Sequence, residues 1–323
     1  MRKDAKQKTI NTNIARIDGY HEGGSWSNAE AYAYQGFRSN KYFTSDRFVK
    51  LDDRFNRPDG KPLQGYGLEI ESECDGIANN TVLAEVMDKI VFSHFPADLF
   101  KMQRDGSLGG DTSVECITQV MTRDFIRNNY PAFKTMFDVY FPSFRITTTS
   151  GRCGMHVNIS NANFGRTEAA QEEAIKKLLY IVNKHYALFC ALTNRDIRHT
   201  DYCARMHRFS DMQSCKDVDL RTMSCSHGIC FNAGHYNAGR IELRIVGGQK
   251  NFACFRNTME SIFHVVNAVR RISWADCDKV EKIFAGCNQY VFDRLRSKVR
   301  QAGAITDEQL SSIAETVKRE ELI

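Results

Sequence analysis

Three short runs of this sequence carry side chains fit for chemistry. In Leu68-Glu-Ile-Glu-Ser-Glu73 carboxylates alternate with other residues, in Cys153-Gly-Met-His-Val-Asn-Ile159 a histidine and an asparagine do, and in Arg240-Ile-Glu-Leu-Arg244 two arginines flank a glutamate. A strand sends successive side chains to opposite faces. Extended, the runs stand Glu69, Glu71 and Glu73 on one face, Gly154, His156 and Asn158 on one face, and Arg240, Glu242 and Arg244 on one face, each with aliphatic residues behind. Carboxylates about 7 Å apart repel one another unless cations sit among them. For a single alternating strand, water is the ordinary neighbour of the polar face. A solvated face, however, has no reason to combine a carboxylate triple, a histidine and an Arg-Glu-Arg array. Together the runs predict a concave charged site. Carboxylates with one imidazole form a hard donor set suited to Mg²⁺ or Mn²⁺, and arginines beside them suit a two-pronged hold on phosphate or carboxylate oxygens. Phosphoryl transfer needs that combination of positioning and charge neutralisation.

The elements that must position these groups follow from periodicity and turn residues. Tyr66–Glu73 reads as a strand, and Asn80 as the cap of a helix reaching about Phe92. Strand-like runs Leu99–Arg104 and Thr112–Val120 flank the reversal Asp105-Gly-Ser-Leu-Gly-Gly110. Thr122 or Asp124 caps the next helix, and Arg152–Ser160 alternates again. One long helix is expected from the cap Thr167 to about Leu192, because Ile175, Leu178, Leu179, Val182, Tyr186 and Phe189 recur at helical steps. Ile229–Ala233 and Gly239–Val246 read as a hairpin with His235 and Tyr236 at the surface of its turn. A helix through Phe255, Met259, Ile262, Phe263, Val266 and Val269 follows. From Asp276 the chain reads as helical, with Thr306 and Gln309 spaced as a capping box. Strands in hairpin-like pairs separated by helices predict an α+β fold on an antiparallel sheet rather than a doubly wound one.

Composition bounds the function. The chain has 323 residues, 42% hydrophobic and 26% charged, enough for a substantial core and incompatible with a disordered or fibrous chain. A net charge of +5 is well short of a dedicated nucleic-acid binder. No run is apolar enough for a membrane span, and Met1–Asn13 is polar where a secretory signal is apolar, so a cytoplasmic protein without membrane contact is expected. The 11 scattered cysteines fit reduced thiols rather than a disulfide framework. GxxxxGK[ST], HExxH and GxSxG are absent, which excludes the commonest phosphate loops, zincin helices and nucleophile elbows. Cys203, Cys215, Cys225 and Cys230, with His207 and His227, lack the paired spacing of a zinc site. Cys153 falls on the opposite strand face from His156, against a thiol–imidazole pair.

The ordered motifs Gly-Leu-Glu69-Ile-Glu71, Asp105-Gly-Ser with Glu115 after it, Cys-Gly-Met-His156-Val and Arg240-Ile-Glu242-Leu-Arg244 resemble the amidoligase family of the glutamine-synthetase-like carboxylate–amine ligase superfamily, from about Gly65 to about Ala268. The resemblance implies a glutamine-synthetase-like antiparallel sheet forming a charged funnel backed by helices. It implies ATP- and Mg²⁺-dependent formation of an amide between a carboxylate and an amine through an acyl phosphate. On that basis Glu69, His156 and Glu242 share one metal, Glu71 and Glu115 hold another, and Asp105 adds an acidic ligand. Arg244 neutralises the transferring phosphoryl group, and Arg240 is a second clamp. Asn158 stands where many members carry a second histidine, and it can hydrogen-bond a phosphate without charge. The expected organisation is an N-terminal basic and aromatic extension over residues 1–60, a catalytic domain over 61–273, and a helical segment over 274–323 packed on it. The expected partners are small-molecule or peptide carboxylates and amines. Two alternatives stand beside this reading: a kinase on the same scaffold, phosphorylating a guanidino or carboxyl group, and a module for nucleic acid or acidic polymer using Tyr32, Tyr34, Phe37, Arg38, Lys41, Tyr42 and Phe43. An oligomer is compatible with either enzyme, and no interface is legible.

Overall fold

A computed structural model describes residues 64–317, apart from 76, 78–79, 96–98, 104–107, 109–111, 199–201 and 224–227. The fold is α+β, with antiparallel strands and many short helices. Two compact units emerge from its contacts. The first takes the described residues to Val157 together with Gly248–Phe252, and the second takes Asn158–Gly247 and the chain from Ala253. The boundary falls inside the block that the sequence presents as one catalytic domain. The expected extension over residues 1–60 lies outside the described residues.

In the first unit β1 (Tyr66–Cys74) is the central strand. β2 (Phe100–Gln103) pairs with β3 (Ser113–Thr118), β3 with β1, and β4 (Ile146–Thr147) with the end of β1. On the other side of β1 comes the start of β5 (Met155–Ser160), where the Glu71 amide donates to the Gly154 carbonyl at 3.1 Å. The register sets Glu71 opposite Glu115, with Glu69 opposite Ile117 and Glu73 opposite Ser113. Residues directly opposite in an antiparallel pair share a face. The helix Asn80–Lys89 buries Val82, Leu83, Val86 and Met87, a stripe at helical spacing, and packs against β2 and β3. It ends short of the expected Phe92: the chain tightens into a 3₁₀ turn, Val91–His94, and Phe92 stacks on Phe100 of β2 with centroids 3.9 Å apart. Tertiary aromatic packing overrides local propensity there. Thr122, not Asp124, caps the helix Arg123–Asn128, accepting from the Phe125 amide at 3.1 Å.

The second unit carries the end of β5, then β7 (Arg240–Leu243) and β6 (Phe231–Asn232), with Asn232 opposite Glu242. The 3₁₀ turn Tyr236–Ala238 closes the hairpin at Gly239, whose φ of 88° suits glycine. Contrary to expectation, Tyr236 is buried, with the guanidinium of Arg221 over its ring. The expected long helix begins at its cap Thr167 but breaks at His185 into Glu168–Lys184 and Tyr186–Leu192. Buried Asn183 accepts at Oδ1 from the Met206 amide at 2.8 Å, and His185 Nε2 lies 3.0 Å from the Cys277 carbonyl. Both contacts link the break to distant segments, which a periodicity reading cannot see. The helix Phe252–Val269 has its apolar stripe buried as expected. The C-terminal segment resolves into short helices, ending in Asp307–Ala314 with both halves of the Thr306–Gln309 capping box formed. Among the described residues no helix is long and apolar enough to cross a membrane.

Candidate functional site

The polar face of β1 does not meet water. Glu69 and Glu71 are 3% and 5% exposed, and Glu115 and His156 are 0% and 5%. These four side chains belong to the first unit and come from adjacent strands. Glu69 and Glu71 stand two residues apart on β1, Glu115 faces Glu71 across the β1–β3 pair, and His156 arrives on β5. His156 Nδ1 lies 3.2 Å from Glu69 Oε2, and its Nε2 lies 3.7 Å from Glu71 Oε1. Glu69 is thus within hydrogen-bond reach of the imidazole, while Glu71 lies beyond it on the other ring nitrogen. The Gly154 amide donates to Glu71 Oε2, which fixes that carboxylate from behind.

Ligand atoms of Glu71, Glu115 and His156 all lie within 4.8 Å of one another. Carboxylates and an imidazole brought this close form a donor set that could hold a metal ion. Oxygen donors with a single nitrogen are a hard donor set. The residues therefore fit a metal, and Glu69, holding Nδ1, is placed to orient the histidine. Glu73 shares the strand face but turns away from this group to pair with Arg152 at 3.0 Å. Asp105 lies outside the described residues.

The remaining predicted residues belong to the second unit. Arg240, 1% exposed, donates through Nη1 to Asn158 Oδ1. An uncharged amide at position 158 is thus an acceptor for a buried guanidinium. Glu242 is held at both oxygens: Arg244 Nη1 donates to Oε1 at 2.6 Å and Asn232 Nδ2 to Oε2 at 2.9 Å. Asn232 escaped sequence reasoning. Its signal is cross-strand register, since it faces Glu242 in the β6–β7 pair.

Cysteine chemistry finds no support. Burial pushes the Cys153 thiol up to about 12, so it is protonated at neutral pH. Cys203, Cys215 and Cys230 are buried, and among the described residues no group of potential metal ligands includes a cysteine. Cys225 and His227 lie outside the described residues. No protein-family model matches the chain, and no curated protein matches it.

Proposed function

We propose that the chain is an ATP- and Mg²⁺-dependent ligase that joins a carboxylate to an amine as an amide, on a glutamine-synthetase-like sheet. The observation that carries this reading is the buried Glu71–Glu115–His156 group, whose ligand atoms converge as a hard-donor set. Glu71, Glu115 and His156 would hold the cation, with Glu69 keeping the imidazole in one tautomer. When bound, the cation neutralises phosphate oxygens so that a carboxylate can be activated at the expense of ATP. Arg244 and Arg240 are the groups that take phosphate or carboxylate oxygens. Their partners Glu242 and Asn158 hold each guanidinium in place, which lowers the ordering cost of binding an anion. The reduced thiols among the described residues support a reducing, cytoplasmic setting.

The test is incubation of the full chain with ATP, Mg²⁺ and pooled cell metabolites. The expected result is ADP release with a product lighter by one water than its two parts. A stable phosphorylated product in place of an amide would identify a kinase. Absence of nucleotide turnover, with polyanion binding that falls steeply with salt, would replace the ligase by a binding module.

A further inference from the structure

The chain leaves β7 at Leu243 and runs irregularly through Arg244–Gly247, yet its backbone groups there are closely accounted for within the second unit. The amides of Arg244 and Ile245 both donate to the Cys230 carbonyl, at 3.0 and 3.1 Å, and the Gly247 amide donates to the Thr193 carbonyl at 3.0 Å. Arg195 Nη2 donates to the carbonyls of Arg244 (3.3 Å) and Val246 (2.7 Å), on either side of Ile245. The Ile245 carbonyl accepts from Thr193 Oγ1 at 3.2 Å. Residues 193–195 therefore grip three successive carbonyls of the segment that carries Arg244. The approach is close enough that a Cβ on Gly247 would lie 2.2 Å from the Asn194 carbonyl oxygen.

This grip is itself anchored. Buried Arg294, at the end of the helix Gln289–Arg294, donates to the carbonyls of Leu192 (3.2 Å) and Ala191 (2.9 Å) and to Asn194 Oδ1. Carbonyls at a helix C-terminus lack intrahelical donors and favour a cation, so Arg294 closes the helix Tyr186–Leu192 and sets the turn that follows. Asn194 holds a left-handed φ of 62° in that turn. A guanidinium binding an anion in two-pronged fashion must be held within about 0.5 Å and 10–20° of its productive geometry.

We infer that Arg195 is a positioning residue for Arg244, and that Arg294 makes the C-terminal helical segment part of the same brace. This inference rests on the reading of Arg244 as a phosphate ligand.

The test uses the full chain with Arg195→Lys, Arg195→Met and, as a milder change, Thr193→Val, which takes the hydroxyl from the Ile245 and Phe189 carbonyls. Three quantities are measured: amide exchange over residues 244–247, Mn²⁺ affinity without nucleotide, and the Mg·ATP dissociation constant. Loss of the two charge-assisted bonds predicts exchange faster by at least about tenfold in that segment and Mg·ATP binding weaker by about tenfold in Arg195→Met. Arg195→Lys should fall between wild type and Arg195→Met, because an ammonium keeps the charge and loses the fork. Mn²⁺ affinity should not move, since its ligands lie in the first unit. Unchanged exchange overturns the inference. So does faster exchange with unaltered Mg·ATP binding while Arg244→Lys weakens it, because Arg195 is then merely structural. If Arg244→Lys itself leaves Mg·ATP binding intact, the phosphate reading fails first and takes the positioning claim with it.

Discussion

Replacing Glu115 by Gln removes one charge from the buried acidic group while keeping its shape and one acceptor oxygen. Glu115 is fully buried, and its ligand oxygen lies within 4.8 Å of that of Glu71. At an effective dielectric near 20, two unit charges at that separation repel by about 3 kcal/mol. Without a divalent cation, Glu115→Gln should therefore be more stable than wild type, by up to that amount, or a melting temperature raised by ~4 °C for a chain of this size. With Mn²⁺ at a thousand times its dissociation constant, wild type should gain about 4.1 kcal/mol, and the variant, lacking a ligand, little of it. The order of stabilities thus inverts when metal is added. Thermal melts of both proteins in EDTA and across a Mn²⁺ and Mg²⁺ titration read this directly. A variant less stable than wild type in EDTA, together with a wild-type melt indifferent to either ion, would refute the reasoning. It would mean that protein groups already satisfy the carboxylates.

Glu71→Gln should abolish ATP turnover while circular dichroism stays native, because it removes a metal ligand and leaves the apolar backing of β1 intact; undiminished turnover counts against the ligase reading. Arg244→Lys should be nearly as severe, since one ammonium cannot reproduce a two-pronged contact, and a wild-type rate would make Arg244 structural. Gly248→Ala should prevent accumulation of folded protein, because its Cβ would lie 1.4 Å from the Thr148 carbonyl oxygen. Gly239→Ala, in open space at φ +88°, should cost only about 1 kcal/mol by denaturant titration. Burial raises Cys153, Cys190, Cys215, Cys230, Cys277 and Cys287 from 9.0 to about 12, so the unfolded chain loses those protons first. Stability should be full below pH 9 and fall steeply above it, each thiol contributing about 1.4 kcal/mol per pH unit, and an ellipticity unchanged to pH 11 would contradict this.

The positions of β1, β3, β5 and β7 were legible in the sequence because a strand's period of two writes itself directly into alternating residue types. Caps were legible for the same local reason: Thr122, Thr167 and Thr306 each accept from the amide three residues on. Breaks were not. The kink at His185 is imposed by contacts with Met206 and Cys277, and the shortened helix at Lys89 by Phe100, all remote in the chain. Tyr236 is a further example, a turn residue by local rules and a buried one by virtue of what packs over it.

Of the candidate site, the chain itself determined which residue types stand on which strand face, since alternation is a covalent property of extended backbone. Which faces would be sealed from water was decided only by tertiary structure. Glu69, Glu71, Glu115 and His156 come together, buried, only because β3 and β5 pair with β1 on its two sides, and the pairing of Glu71 with Glu115 depends on the β1–β3 register. A shift of that register by one residue would turn every side chain of β3 to the opposite face. The separation of Glu73 toward Arg152 and the grip of Arg195 on the Arg244 backbone belong to the same class. They are encounters between segments far apart in sequence, fixed by packing rather than by spacing along the chain.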